Sequence, residues 1–261
     1  MKIPIYQVDA FTGKVFGGNP AAVCILDSWL DEEVLQGIAA ENNLSETAFL
    51  VPISRGRYDL RWFTPTVEVD LCGHATLASA FVIFSFYDSG LPSIDFETAS
   101  GLLSVTKSGE LLSMDFPARK AVRTESPQLL SNALGINPVE VHKSRDLLVV
   151  FENENNIKEM DPDFDILKQI RDAFAVIVTA PGENCDFVSR FFAPNAGIPE
   201  DPVTGSAHCT LIPYWAERLG KNELHAFQLS KRGGELYCEH IEDRVRISGH
   251  SVLYSKGEIY L

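Results

Sequence analysis

The sequence predicts an α+β fold of two similar, pseudo-symmetric lobes, each a mixed β-sheet wrapped around a buried helix. Internal repetition is the first observation behind this. The stretch from Arg61-Trp-Phe-Thr-Pro65 to Cys72-Gly-His-Ala-Thr76 reads as a strand, a broken segment and a helix. It is answered by Arg190-Phe-Phe-Ala-Pro194 leading to Thr204-Gly-Ser-Ala-His208. Phe63 matches Phe192, Pro65 matches Pro194 and Gly73 matches Gly205. Two copies set about half a chain apart describe paired lobes, whereas a solenoid needs a regular array of repeats. The second observation is the helix opening near Gly73, where Ala75, Leu77, Ala78, Phe81, Val82 and Phe84 leave no polar face; such a helix belongs inside a lobe. The third is the supply of short strand-like runs separated by glycine turns.

Composition bounds the partners. The chain has 261 residues, 45% of them hydrophobic, enough for one large core or two smaller ones. Its formal net charge of −14 argues against nucleic acid and against an anionic membrane as main partner, since both demand basic surface. No apolar run approaches the ~20 residues of a membrane span, and the first residues lack the apolar core of a secretory signal. Cys24, Cys72, Cys185, Cys209 and Cys238 are odd in number and widely spaced, which predicts reduced, mostly buried thiols and a cytoplasmic protein.

Taken in order, Ile3–Phe11 and Ala21–Leu26 read as strands joined across Gly17-Gly18-Asn19-Pro20, where adjacent glycines permit close backbone approach. A helix over Asp31–Asn42 places Leu30, Val34, Leu35, Ile38 and Ala39 on one face, with acidic residues in its first turn. Strands follow at Leu44–Val51 and Tyr58–Phe63, then the helix Gly73–Tyr87 and a meander over 94–98, 102–107 and 111–116. A boundary is expected after residue 118, giving an N-terminal lobe over 1–118 and a C-terminal lobe over 119–250, with the last strand, 251–261, returning to the first lobe. The second lobe should hold helices at 127–134, 164–172 and 205–219, a polar loop at 152–156, strands at 147–151, 174–179 and 187–192, and several strands from Phe227 onward.

Helix N-termini present unpaired amides and the positive end of the helix dipole, so Gly73 and Gly205 are candidate carboxylate-binding points; tight packing is the plainer use of a glycine there. If the lobes face each other, both ends converge on one cleft. Cys72 sits just before a helix start, where a thiol is expected to have a lowered pKa and to serve as base or nucleophile. Its repeat partner is Thr204, so no symmetric pair of thiols exists. Glu46, a carboxylate among apolar neighbours, suits general acid–base work once desolvation raises its pKa. His74 is the natural partner for sharing a proton, and Asp201 precedes the second helix. Cys72, His74, His208 and Cys209 do not have a common zinc spacing, and no metal is expected.

These residues together carry a resemblance. The chain resembles the PhzF-like family of phenazine-biosynthesis isomerases, which shares the diaminopimelate epimerase fold. The matching elements are Val8-Asp-Ala-Phe11, Gly18-Asn-Pro-Ala-Ala-Val23, Asn43-Leu-Ser-Glu-Thr-Ala-Phe49, Phe63-Thr-Pro65, Cys72-Gly-His-Ala-Thr76 and Glu200-Asp-Pro-Val-Thr-Gly-Ser-Ala207. The resemblance implies that Glu46 is the catalytic acid–base, with His74 and Asp201 beside it. It implies a substrate-binding set of Gly18, Asn19, Ser45, Cys72, Gly73, Thr204, Gly205 and Ser206. It further implies proton transfer on a small carboxylate-bearing substrate without cofactor or metal, and a homodimer. The epimerase relatives carry a cysteine at both helix starts; Thr204 at the second disfavours racemisation. Two other readings stay open: a dehydratase or lyase using Cys72 with Glu46, and a family member that binds a metabolite or protein without catalysis.

Overall fold

The computed structural model describes all residues, Met1 to Leu261. The chain divides into two compact units, one formed by Met1–Asp115 with Ser248–Leu261 and the other by Phe116–Ile247.

In the first unit, β1 (Lys2–Ala10) pairs antiparallel with β2 (Asn19–Ile25). Helix α1 (Glu32–Asn42) then crosses to β3 (Glu46–Ser54), which lies parallel to β2, and β4 (Arg57–Phe63) returns antiparallel to β3. The short β5 (Glu68–Val69) folds back on β4 before helix α2 (Gly73–Val82). After α2 come β6 (Ser93–Thr98), parallel to β4, and the meander of β7 (Gly101–Ser108) and β8 (Leu111–Pro117).

Helix α1 lies on this sheet through the stripe its spacing announces: Leu35, Ile38 and Ala39 bury with Ile3, Cys24, Phe49 and Phe63. It stops at Asn43, whose left-handed backbone turns its amide onto the Ala39 carbonyl. Helix α2 is the buried helix expected, with every residue from His74 to Ala80 out of solvent. The helix does not run on to Tyr87 in one form. At Ile83 it widens into a π-turn over Ile83–Tyr87, closed by the Asp88 amide on the Ile83 carbonyl.

The second unit begins with β9 (Val122–Arg123), α3 (Leu130–Leu134), β10 (Glu140–Lys143) and β11 (Leu147–Val150). Helices α4 (Glu154–Lys158) and α5 (Phe164–Leu167) lead to β12 (Val176–Pro181) and β13 (Phe187–Ala193). A 3₁₀ turn and β14 (Ile198–Asp201) precede α6 (Gly205–Leu219), and β15 (Glu223–Gln228), β16 (Gly234–Ile241) and β17 (Arg244–Gly249) follow. The final strand, β18 (Ser251–Tyr260), belongs to the first unit and pairs antiparallel with β1, from Ala10 opposite Ser251 to Lys2 opposite Tyr260.

The two units share one topology. Strands β10 to β13 repeat the pairings of β1 to β4, β11 lying parallel to β12 as β2 does to β3. After its helix, β15 returns parallel to β13 as β6 does to β4. The architecture is the α+β class expected, a mixed sheet with one buried helix in each unit.

Several elements differ from the sequence reading. The stretch expected as a polar loop at 152–156 starts helix α4, because its polar residues form the cap: Asn153 Oδ1 accepts from the Asn156 amide at 3.1 Å and Asn156 Oδ1 from the Asn153 amide at 3.3 Å. The helix expected to reach residue 172 ends at Leu167; tighter turns follow, which bury Ile170 beside Leu167 in the unit's core. Strand β10 is not expected from the sequence, since Glu140-Val-His-Lys143 alternates too briefly to stand out. In α6, Pro213 lacks the amide that would bond the Cys209 carbonyl, and the Arg119 amide takes that carbonyl at 2.8 Å.

Candidate active site

In the first unit, four side chains brought from distant positions meet. Glu46 opens β3, Asn19 opens β2, and Cys72 and His74 flank Gly73 at the start of α2. His74 Nε2 lies 3.0 Å from Glu46 Oε2, with side chains only 7% and 12% exposed. The contact is an ion pair without the alignment of a hydrogen bond, and neither atom has another hydrogen-bond partner. At the other ring nitrogen, the Asn19 amide Nδ2 is 3.2 Å from His74 Nδ1 and Cys72 Sγ is 3.5 Å from it.

Backbone geometry explains how Asn19 arrives there. Gly18 has φ of 60°, and a Cβ on it would sit 2.1 Å from the Ala10 carbonyl oxygen. Only glycine lets the loop enter β2 this close to β1. The loop is also held by the buried Asp9, whose Oδ2 accepts from the Phe16 amide at 2.9 Å. Ser45, half-buried, precedes Glu46 at the mouth of β3.

The electrostatics correct one expectation. The Cys72 thiol is not activated: burial first, then the Glu46 charge, push it up to about 11, against the opposing pull of His74. The lowered pKa expected before a helix start does not arise, because the sulfur is sealed from solvent beside a carboxylate. His74 moves in the opposite sense to an isolated buried histidine. Burial pulls its imidazolium down, but the Cys72 sulfur and Glu46 outweigh this, and its pKa lies well above the ordinary value.

In the second unit, Thr204 precedes α6 as Cys72 precedes α2, and neither helix start is capped by a side chain. In both units the residue four positions after the cap takes the cap carbonyl. Thr76 Oγ1 donates to the Cys72 carbonyl at 2.6 Å, and His208 Nδ1 donates to that of Thr204 at 2.9 Å. Thr204 Oγ1 donates to Asp201 Oδ2 at 2.5 Å, and its amide donates to Gln228 Oε1 at 2.9 Å. Ser206 Oγ accepts from Arg145 Nη2 at 3.3 Å. Gln228 and Arg145 have no signal in the sequence; both meet the helix start from positions far along the chain.

Strand register fixes which residues correspond. Thr47 faces Phe63 across β3 and β4, and Val176 faces Phe192 across β12 and β13. Because Phe63 matches Phe192, the counterpart of Glu46 is Ala175. Likewise Ser206 stands at the position of His74 and Thr204 at that of Cys72. The second unit therefore has no carboxylate–imidazole pair at the positions that match Glu46 and His74.

Glu46, Cys72 and His74 bring ligand-type atoms within 4.8 Å of one another. Sγ lies 3.5 Å from Nδ1 and the carboxylate 3.0 Å from Nε2, and the short carboxylate–imidazole contact suits a proton path. His208 spends Nδ1 on a carbonyl, and Cys209 faces the Gly205 carbonyl.

Two mixed-sheet units of one topology, each with a glycine-led buried helix, define a protein of the diaminopimelate epimerase-like fold class. A hydroxyproline epimerase from Agrobacterium vitis, solved with trans-4-hydroxy-L-proline, shares this fold at a TM-score of 0.63 over 99% of this chain and 92% of that one; with 9% identity, the likeness is of fold alone. The chain belongs to the PhzC-PhzF family of phenazine biosynthesis-like proteins, whose family model matches residues 8–257. It is 54% identical to an uncharacterized isomerase of Pseudomonas aeruginosa over the full length of both chains. It is similar over its whole length to a solved PhzF-family protein of Enterococcus faecalis, with a TM-score of 0.98, 50% identity and full coverage of both chains.

Proposed function

We propose that this protein is a cofactor-independent isomerase that moves a proton between two carbons of a small carboxylate-bearing metabolite. The observation that carries the reading is the pair Glu46 Oε2 and His74 Nε2: buried, 3.0 Å apart, and not engaged in a well-formed hydrogen bond with each other or with any other group. Polar atoms left in that state are costly unless a substrate completes their geometry. The name of the Pseudomonas aeruginosa relative points the same way.

In this reading the Glu46 carboxylate takes a proton from a substrate C–H, forming the O–H bond as the C–H bond breaks. The released electron pair spreads into the adjoining unsaturated system towards the substrate carboxylate. Glu46 then returns the proton to a second carbon, and the double bond shifts with no net change in atoms or electrons. His74 balances the charge on Glu46 and stores a proton within reach. The amides at the start of α2 bind carboxylate, Thr204, Gly205 and Ser206 form a second carboxylate-binding element, and Asp201 orients an amine or hydroxyl of the substrate. An elimination through Cys72 loses its base, because the thiol stays protonated at neutral pH. The widely spaced, unpaired cysteines support a cytoplasmic location and the family resemblance a homodimer as parts of the proposal, and sedimentation of the purified chain tests the dimer.

The test uses a library of small unsaturated amino and hydroxy acids in deuterated water, read by mass. Wild type should isomerise at least one of them with deuterium entering the product. Glu46→Gln keeps the size of the side chain but cannot carry the proton; it should lose at least about 100-fold in rate with affinity within about tenfold. Binding without isomerisation in wild type, or an undiminished rate in Glu46→Gln, would overturn the proposal.

A further inference from the structure

His74 has a different partner on each ring nitrogen, and one of them has no place yet in the chemistry. Glu46 faces Nε2 from β3. Nδ1 faces the Asn19 amide from β2 and the Cys72 sulfur from the residue preceding α2. Asn19 is fully buried, and a strained approach sets it there: Gly18 at positive φ presses against the Ala10 carbonyl, and the Asp9 carboxylate holds the loop before it. A chain that builds such a turn to deliver one amide to one ring nitrogen makes a specific contact.

The chemistry of that contact follows from what an amide can do. A neutral imidazole with its proton on Nε2 needs a donor at Nδ1, and the amide Nδ2 supplies one. An imidazolium has a proton on Nδ1 and needs an acceptor there, which the amide Oδ1 supplies when the group turns over. A carboxylate could only accept, and a thiol is chiefly a weak donor. We propose that Asn19 is a positioning residue for His74, holding Nδ1 in both protonation states so that Nε2 stays aimed at Glu46 while a proton passes. Outer partners of an imidazole set its tautomer and orientation in this way.

This inference rests on the reading of Glu46 and His74 as a proton-transfer pair, but its test needs no substrate, so either can fail alone. Histidine ring nitrogens labelled with ¹⁵N are followed by NMR across pH, and His74 is assigned by its disappearance in His74→Gln. In Asn19→Asp, a fixed acceptor at Nδ1 should favour the cation and raise the His74 midpoint by about one pH unit or more. In Asn19→Ala, Nδ1 is left to the Cys72 S–H, a donor that favours the neutral ring, so the midpoint should fall and the Nδ1 resonance should move. A general loosening of the fold would not send the two variants in opposite directions. Midpoints that stay at the wild-type value, or that move the same way in both variants, would overturn the assignment. If Asn19→Ala does not fold, Asn19→Asp alone decides, since an unchanged or lowered midpoint there is incompatible with the role.

Discussion

Cys72 Sγ lies 3.5 Å from His74 Nδ1, while Glu46 Oε2 lies 3.0 Å from Nε2 of the same ring. The sulfur therefore sits beside the acid–base pair, and its protonation state decides whether it can act as a base. Its thiol, pushed up to about 11 by burial and the Glu46 charge, should resist iodoacetamide in the folded protein until well above the pH at which an exposed thiol reacts. Cys72→Ser should keep isomerase activity within about tenfold of wild type, short of the loss expected for removing a base. Rapid labelling of Cys72 at pH 8, or a 100-fold loss in Cys72→Ser, would restore the thiol as a catalytic group.

That outcome also marks the limit of sequence reading at this site. Glu46, Cys72, Gly73 and His74 stand out because they occur in motifs with chemical character, and the two buried helices follow from the repeat and from unbroken apolar runs. The thiol pKa is not legible in the same way, because a motif shows the helix start and not the sealing of the sulfur from solvent. The contact of Asn19 with His74 spans 55 residues and depends on a backbone turn at Gly18, which no periodicity reports. Helix α4 escapes for a local reason: its cap residues are the polar ones that signal a loop. The absence of a second acid–base pair, by contrast, can be argued once strand register matches Ala175 to Glu46.

The Gly18 turn makes a stability prediction. Gly18→Ala must place a Cβ 2.1 Å from a backbone oxygen, at a φ of 60° that already strains an L-residue. Urea unfolding should show a loss of about 2 kcal/mol or more. Gly101, also at positive φ but with nothing near its Cβ, is the control, and Gly101→Ala should lose less. Equal losses would mean that the approach to Ala10 carries no cost of its own.

His208 sets an acid limit on the fold. It is buried, donates Nδ1 to the Thr204 carbonyl, and burial pulls its pKa down to about 4 despite that bond. In the unfolded chain it should titrate near the ordinary histidine value, about 6.5. Between those values the unfolded state binds the proton and the folded state does not, so stability falls as pH drops from about 6.5 to about 4. The loss approaches about 3 kcal/mol, since each pH unit between the two values is worth about 1.4 kcal/mol. Urea midpoints at pH 7 and 4.5 should differ more in wild type than in His208→Gln, which has no proton to gain. An equal pH dependence in the two proteins would rule out His208 as its source.

The unmatched Glu46 leads to a prediction about the fate of the proton. Ala175 and Ser206 occupy the counterpart positions of Glu46 and His74, so one carboxylate must both take the proton and return it. Glu46 is 12% exposed, which slows exchange of the captured proton with solvent. In deuterated water the product should therefore keep part of the hydrogen that left the substrate. A pair of bases, one removing and one delivering, would put a solvent deuteron into every product molecule. His74 carries the nearest exchangeable proton, so it is the first group with which the captured proton can be scrambled. Replacing it with glutamine should raise the retained fraction while lowering the rate less than Glu46→Gln does. Mass analysis of early turnovers gives the retained fraction directly. Complete deuteration from the first turnover in both wild type and His74→Gln would mean that a second group delivers the proton. Asp201, the carboxylate beside the second helix start, would then be the residue to replace next, and loss of product deuteration in Asp201→Asn would identify it.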